Sequence, residues 1–279
     1  MPVCPSCKDA RYLVEKNGER TVAKVCACNE TCTVCGGSGH TFVEEKGYTF
    51  VRPCGCRSIA RRVTLFNQAR LPARAVGFTF ETFTPETEEQ NLAKGVAETT
   101  ARRYRPDSPS KGLIVSGPVG TGKTHLLCAA LRYLTLEVGV PSRYVEISFL
   151  FSEIKNGFQA GKSGLEAIAP LVDVEVLAID EIGKGRGSGF ELDTLDELIA
   201  RRYNSGRTTL FATNLSLAAE AGKGGYVDPV VYEQRTQSLL RIKVGERIYS
   251  RLFEMCHAIE FPSNLKDHRK SDKASLAAK

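Results

Sequence analysis

Gly117-Pro118-Val119-Gly120-Thr121-Gly122-Lys123-Thr124 is the stretch on which the reading of this chain turns. A short apolar run, Leu113-Ile-Val-Ser116, precedes it, and His125-Leu-Leu-Cys-Ala-Ala-Leu-Arg-Tyr-Leu134 continues at helical period. Strand, GxxxxGK[ST] and helix in that order are the context of a phosphate-binding P-loop. A ring of backbone N–H groups and a helix N-terminus would face the phosphates. Lys123 would reach the outer phosphates, the Thr124 hydroxyl would ligate Mg2+, and Gly122 permits close backbone approach. The expected ligand is ATP with magnesium.

Downstream, Val174-Glu-Val-Leu-Ala-Ile-Asp180-Glu181 reads as a second buried strand ending in two carboxylates. At the C-terminal edge of a parallel strand Asp180 would sit beside the P-loop and hold the magnesium's water shell, and Glu181 would orient the attacking water. Locally, two acids opening a helix would look the same. A third apolar run, Thr208-Thr-Leu-Phe-Ala-Thr213-Asn214, ends in polar residues. Asn214 either faces the γ-phosphate or caps the turn that follows. The expected fold is α/β, a parallel sheet flanked by helices.

Upstream, eight of the ten cysteines lie within the first 56 residues. Cys4, Cys7, Cys26 and Cys28 map onto Cys32, Cys35, Cys54 and Cys56 by adding 28 to each number. Each copy reads CxxC, strand, Gly turn, strand, CxC, with Asn17-Gly18 a strong hairpin signal. Close thiol pairs with no secretion signal point to metal ligands rather than bridges. Eight thiolates suit two Zn2+ ions, and metal binding would supply the folding free energy that so small a core lacks. The simplest pairing is each repeat closing on itself, and a redox or iron–sulfur role is the competing chemistry. Cys32-Thr-Val-Cys-Gly-Gly-Ser-Gly39 resembles the CxxCxGxG repeat of the DnaJ chaperone zinc region, and an interleaved pairing stays open on that resemblance. His40 is a spare candidate ligand. Cys128 and Cys256 sit in apolar runs and read as core residues.

The chain has 279 residues and a net charge of +6, and the excess lies wholly in residues 1–75, with 12 basic against 6 acidic side chains. That suits an acidic partner, nucleic acid or protein. No apolar run approaches the ~20 residues that span a bilayer, so no membrane partner and a cytoplasmic location are the default expectations. The expected organisation is a duplicated zinc module at 1–56, a basic helical linker at 57–75, an ATPase domain at 76–262 and a disordered polar tail at 263–279.

The order of motifs closely resembles the AAA+ class. Within it the chain is similar to the bacterial replicative helicase loaders (the DnaC and DnaI group) and to the IstB transposition helpers. Four stretches carry the resemblance: Leu71 to Phe83, the P-loop with His125-Leu126, Leu177-Ala-Ile-Asp-Glu-Ile-Gly183, and Gly245-Glu-Arg-Ile-Tyr-Ser-Arg-Leu252. It implies that Asn214 is a nucleotide sensor. It implies too that Arg251 is an arginine finger entering the neighbouring subunit's site, with Arg247 assisting, and hence self-association through the ATP site. It implies a replicative DNA helicase held by residues 1–75 and single-stranded DNA contacted by Lys155, Lys162 and Phe158, whereas Phe149, Leu150 and Ile154 read as packing residues. The segment 218–244 is longer than the usual loader connection. A transposition helper and a zinc-dependent DNA-binding regulator that uses ATP as a switch are the alternative functions.

Overall fold

The strand before the P-loop decides how the sheet is built. In the computed structural model, which describes residues 4–268 except 30, 31, 33, 37, 46, 109, 160–162, 186 and 218–238, that strand is β5 (Gly112–Ser116) and all five of its residues are buried. Leu113 and Val115 point into one apolar cluster and Ile114 into another. A strand buried on both faces needs helices on both sides. The sheet is five-stranded, formed by β6 (Ser142–Glu146), β7 (Val176–Asp180), β8 (Thr209–Thr213), β5 and β9 (Cys256–Glu260) in that spatial order. Every neighbouring pair is parallel.

Three helices cover one face: α1 (Gly55–Ala69), α2 (Glu88–Arg102) and α3 (Lys123–Tyr133). The other face carries α4 (Ile147–Gln159), α5 (Gly164–Asp173), α6 (Gly189–Asn204), the short α7 (Leu240–Val244) and α8 (Glu246–Met255). Arg202 of α6 is fully buried yet satisfied, donating to the carbonyls of Leu171, Val174 and Thr208. The parallel layout places the ends of β5, β7 and β8 along one edge, with β8 between the other two. This is the α/β parallel architecture expected from the sequence.

Ahead of the sheet lie two antiparallel hairpins, β1 (Tyr12–Asn17) with β2 (Arg20–Val25), and β3 (His40–Glu45) with β4 (Tyr48–Pro53). Their surroundings differ. Ala23 of β2 lies in the main core, and its N–H and C=O are both held by the Asn67 side chain of α1, at 2.7 and 3.0 Å. Thr21 N–H donates to Leu71 O at 3.0 Å, and Tyr12 Oη donates to Glu137 at 2.5 Å. The second hairpin is open to solvent, and every residue of β4 is exposed.

Two boundaries differ from expectation. The segment 57–75 is not a linker: α1 starts at Gly55, inside the CxC pair, and buries Ile59, Val63 and Phe66 against the domain. Those residues recur at helical spacing, which makes an apolar stripe. The expected tail also starts too early at 263. Leu265 packs on the core and His268 N–H donates to Gly120 O at 3.3 Å, while 269–279 lie outside the described residues.

Candidate nucleotide site and metal centres

α3 begins where β5 and the loop after it deliver the chain to Lys123, with Gly122 at φ +91° as the residue before the helix. A Cβ on Gly122 would meet the Phe83 ring at 2.5 Å, so only glycine fits both the backbone angle and the neighbour. A helix's first N–H groups have no partner within the helix, and α3 begins at the end of this loop. The Lys123 ammonium is buried and donates to Gly117 O at 2.7 Å and Pro118 O at 2.6 Å.

Asp180 lies at the end of β7, nearly inaccessible. Its Oδ2 accepts from Thr124 Oγ1 at 2.7 Å and from Tyr144 Oη at 2.8 Å, and the Arg74 guanidinium stands 3.8 Å away. Burial, with Asp180 beside it, pushes the Tyr144 phenol well above its ordinary value, so it stays a donor. Thr124 and Asp180 therefore stand together as oxygen donors, the chemistry magnesium requires.

Glu181 adopts a left-handed φ of +59°, uncommon for a residue with a side chain. It hydrogen-bonds Lys184, whose ammonium also lies 3.6 Å from Glu146 Oε1 at the end of β6. Burial acts to raise the Glu181 carboxyl, but its hydrogen bonds with Lys184 and Glu146 prevail and hold it below the usual carboxylate range. Burial and the charge of Glu181 push Glu146 the other way.

At the end of β8, Thr213 is buried and donates to Ile182 O at 2.7 Å, while Leu215 N–H donates to the Thr213 hydroxyl at 3.1 Å. Thr213 thus takes the local turn bond, and Asn214 is exposed and lines the cavity. That cavity has a volume of about 730 Å³, within the range typical of small-molecule sites. Lys123, Thr124, Asp180, Glu181 and Asn214 line it together. Arg251 and Arg247 do not. Both lie on α8 and pair with Asp196 of α6, at 2.6 and 3.4 Å.

Several lining residues had no reading of their own in the sequence. Arg74 follows α1, and following the Leu71–Phe83 resemblance residue by residue would have found it. Phe78 stacks on His125 with ring centres 4.3 Å apart, Phe83 meets the same ring edge-on at 5.4 Å, and Gln90 of α2 donates to Thr121 O at 3.1 Å. His268 lines the cavity from the far end of the chain, where no local pattern announced it.

The nucleic-acid candidates fare unevenly. Lys155 is half exposed and lies 3.4 Å from Glu191. Lys162 and the Phe158 side chain lie outside the described residues. Leu150 and Ile154 are packed, as expected, but Phe149 is 65% exposed and contradicts the packing reading. It sits on the outer side of an amphipathic helix whose core stripe runs through Leu150 and Ile154. Most of the long 218–244 segment also lies outside the described residues.

The eight cysteines gather into two groups, Cys4, Cys7, Cys26 and Cys28, and Cys32, Cys35, Cys54 and Cys56. Each repeat closes on itself. Sulfur pairs stand at 4.0 and 3.4 Å in the first group and 3.8 and 3.4 Å in the second. Zinc–sulfur bonds of about 2.3 Å in a tetrahedron give edges of about 3.8 Å, whereas a disulfide needs about 2.05 Å. The backbone N–H groups of Cys7 and Ser6 pull Cys4 down to about 7. Hydrogen bonding with Cys35 pushes Cys56 up to about 12. Such crowded sulfurs cannot all ionise without a cation, and Zn2+ fits the donor set. Bound there, the metal would cross-link the two ends of each hairpin. Cys128 and Cys256 are buried apart from both groups, and burial pushes both thiols up.

Elemental analysis of purified protein is expected to give two zinc per chain. Cys4→Ser and Cys32→Ser are each expected to lower this to about one, leaving the other repeat loaded. Loss of both ions from a single substitution would show interleaved sites instead.

An αβα sandwich with a P-loop, a buried carboxylate at the next motif strand and a polar residue between them defines a nucleotide-binding protein of the AAA+ class. The chain belongs to the IstB-like ATP binding protein family, whose sequence model matches residues 54–223. Among curated proteins it is similar to the replicative helicase loader DnaC of Escherichia coli (strain K12), 29% identical over 153 residues, which are 54% of this chain and 61% of that protein. It thus spans about three-fifths of the loader's length. It is also similar to the phage-like element PBSX protein XkdC of Bacillus subtilis (strain 168), 23% identical over 81% of this chain and 79% of that one. The crystal structure of the DnaC helicase loader superposes with a TM-score of 0.56 at 24% identity, covering 68% of this chain and 99% of that one. DnaI superposes with a TM-score of 0.52 at 23% identity, over 69% of this chain and 92% of that one. Both likenesses speak for the fold. No described helix is long and apolar enough to cross a membrane.

Proposed function

We propose that this chain is an ATP hydrolase that loads or remodels a replicative DNA helicase on single-stranded DNA, with residues 1–75 holding the helicase. The observation that carries the reading is how the family likeness divides the chain. The ATPase part matches proteins described as replicative helicase loaders, while both hairpins, β1 to β4, lie ahead of the family match that starts at 54, which takes in only the last two cysteines, Cys54 and Cys56. A shared engine with its own appended module is what a loader needs to address its own helicase.

Each side chain has a role in this reading. The Lys123 ammonium and the α3 N-terminus hold the phosphates. Thr124 and Asp180 would hold a magnesium ion, which would supply neutralisation of phosphate charge. Glu181, ionised at neutral pH, orients water and accepts its proton. Asn214 touches the outer phosphate, and Arg251 reaches the site of a neighbouring subunit, so ATP builds an oligomer. Lys155 and the exposed Phe149 suit a single strand that passes over α4.

The test is helicase activity on circular single-stranded DNA coated with single-strand-binding protein. Adding the chain with ATP is expected to raise unwinding by at least about tenfold, and Lys123→Ala is expected to abolish the gain. Unwinding that stays at the helicase-alone rate sinks the loader reading. The IstB description of the family favours a transposition helper as the second reading, and stimulation of a transposase in place of the helicase would establish it. A basal hydrolysis rate indifferent to DNA would point to the ATP-switched regulator.

A further inference from the structure

The two hairpins are copies in sequence and differ in what covers them. Adding 28 to each residue of β1 and β2 gives its counterpart in β3 and β4. The registers coincide, for Val14 stands opposite Ala23 as Phe42 stands opposite Val51. In the first copy the face bearing Tyr12, Val14, Thr21 and Ala23 is closed, with Thr21 and Ala23 only 1% and 2% exposed. A helix does much of the closing: α1 supplies the Asn67 amide that takes both the N–H and the C=O of Ala23.

The counterpart face of the second copy is open. Phe42 is 72% exposed and Val51 60%. Ala23 has its backbone groups free of the ladder and turned to the outer edge of β2. Val51, at the same register position, turns its own to the outer edge of β4. The opposite face bears an ion pair in each copy, Lys24 with Glu15 and Arg52 with Glu45, and in the second copy it also carries the exposed Tyr48 and Phe50. A lone two-stranded hairpin gains little by displaying Phe and Val to water.

We infer that the Phe42–Val51 face of the second hairpin receives an amphipathic helix of the partner protein. That helix carries an Asn or Gln between apolar residues three or four apart, and it repeats on the second copy the grip that α1 has on the first. The first hairpin is then the anchor and the second the hand. The inference rests on the reading that residues 1–75 hold the helicase, and it specifies which face does so.

The experiment measures binding of the full chain to the purified replicative helicase of the source organism. Phe42→Asp/Val51→Asp is expected to weaken binding by at least about 30-fold. Tyr48→Ala, on the opposite face, is expected to change it less than about threefold. Zinc content and ATP affinity, measured in both variants, check that the fold is kept. Hydrogen exchange should show the Val51 amide protected on binding. A wild-type chain that fails to bind the helicase removes the loader reading and this inference with it. Wild-type binding that the double variant leaves intact overturns the inference alone. So does a double variant that changes only self-association or only DNA binding, since the occupant is then a second copy or a nucleic acid.

Discussion

Glu181→Gln is expected to lower the ATP turnover number by about 10²- to 10⁴-fold while leaving nucleotide affinity within a few-fold. Gln keeps the size of Glu and can still hydrogen-bond, so the cavity and the phosphate cradle are undisturbed. What is lost is the ability to accept a proton. The carboxylate is held below its ordinary range by Lys184 and Glu146 against the opposing effect of burial. The form that accepts a proton is therefore fully present at neutral pH, and activity should decline only as pH falls through that lowered value. Steady-state hydrolysis across pH, set beside titration with a fluorescent ATP analogue, separates the two quantities. A turnover number within about threefold of wild type would remove Glu181 from the chemistry.

Arg251→Ala is expected to lower the turnover number by about 10³- to 10⁵-fold, the effect of losing an arginine finger. The residue pairs with Asp196 in its own chain and does not line its own cavity, so the proposed finger role requires its target to lie in a second subunit. Complementation follows from that placement. Mixing Arg251→Ala chains, which keep an intact P-loop, with Lys123→Ala chains, which keep an intact Arg251, should restore hydrolysis that neither has alone. A merely structural role for the Arg251–Asp196 pair predicts no recovery on mixing, and that outcome would return Arg251 to the surface of α8.

The parts of the site that could be read in advance are those whose chemistry is written in one continuous string. The P-loop, Asp180-Glu181 and Thr213-Asn214 each sit at a strand end, and buried parallel strands announce themselves as unbroken apolar runs. The parallel order then brings three strand ends to one edge. Arg74, Phe83 and His268 reach the same cavity from an entry segment and a tail. No local period marks such residues, because what places them is tertiary packing. The strand Cys256–Glu260 was likewise hidden, since only Cys256 and Ile259 are buried and the run is not apolar throughout. The exposure of Phe149 is not legible in the sequence, because a helix with adjacent apolar residues does not say which of them lies off its stripe. Near-identical patterns in the two hairpins gave no hint that one would be docked and the other open, because Asn67, which grips the first, lies 44 positions away from Ala23.

That asymmetry has a consequence for how the molecule can change over time. A substitution on the docked face of the first hairpin disturbs the joint with Asn67 and so the stability of the nucleotide-binding domain. The same substitution on the second hairpin leaves the engine untouched. Duplication has thus relieved one copy of its structural duty. On the inference that the Phe42–Val51 face holds the partner, a lineage carrying this arrangement would exchange partners by altering a few side chains there, without altering the nucleotide-binding domain.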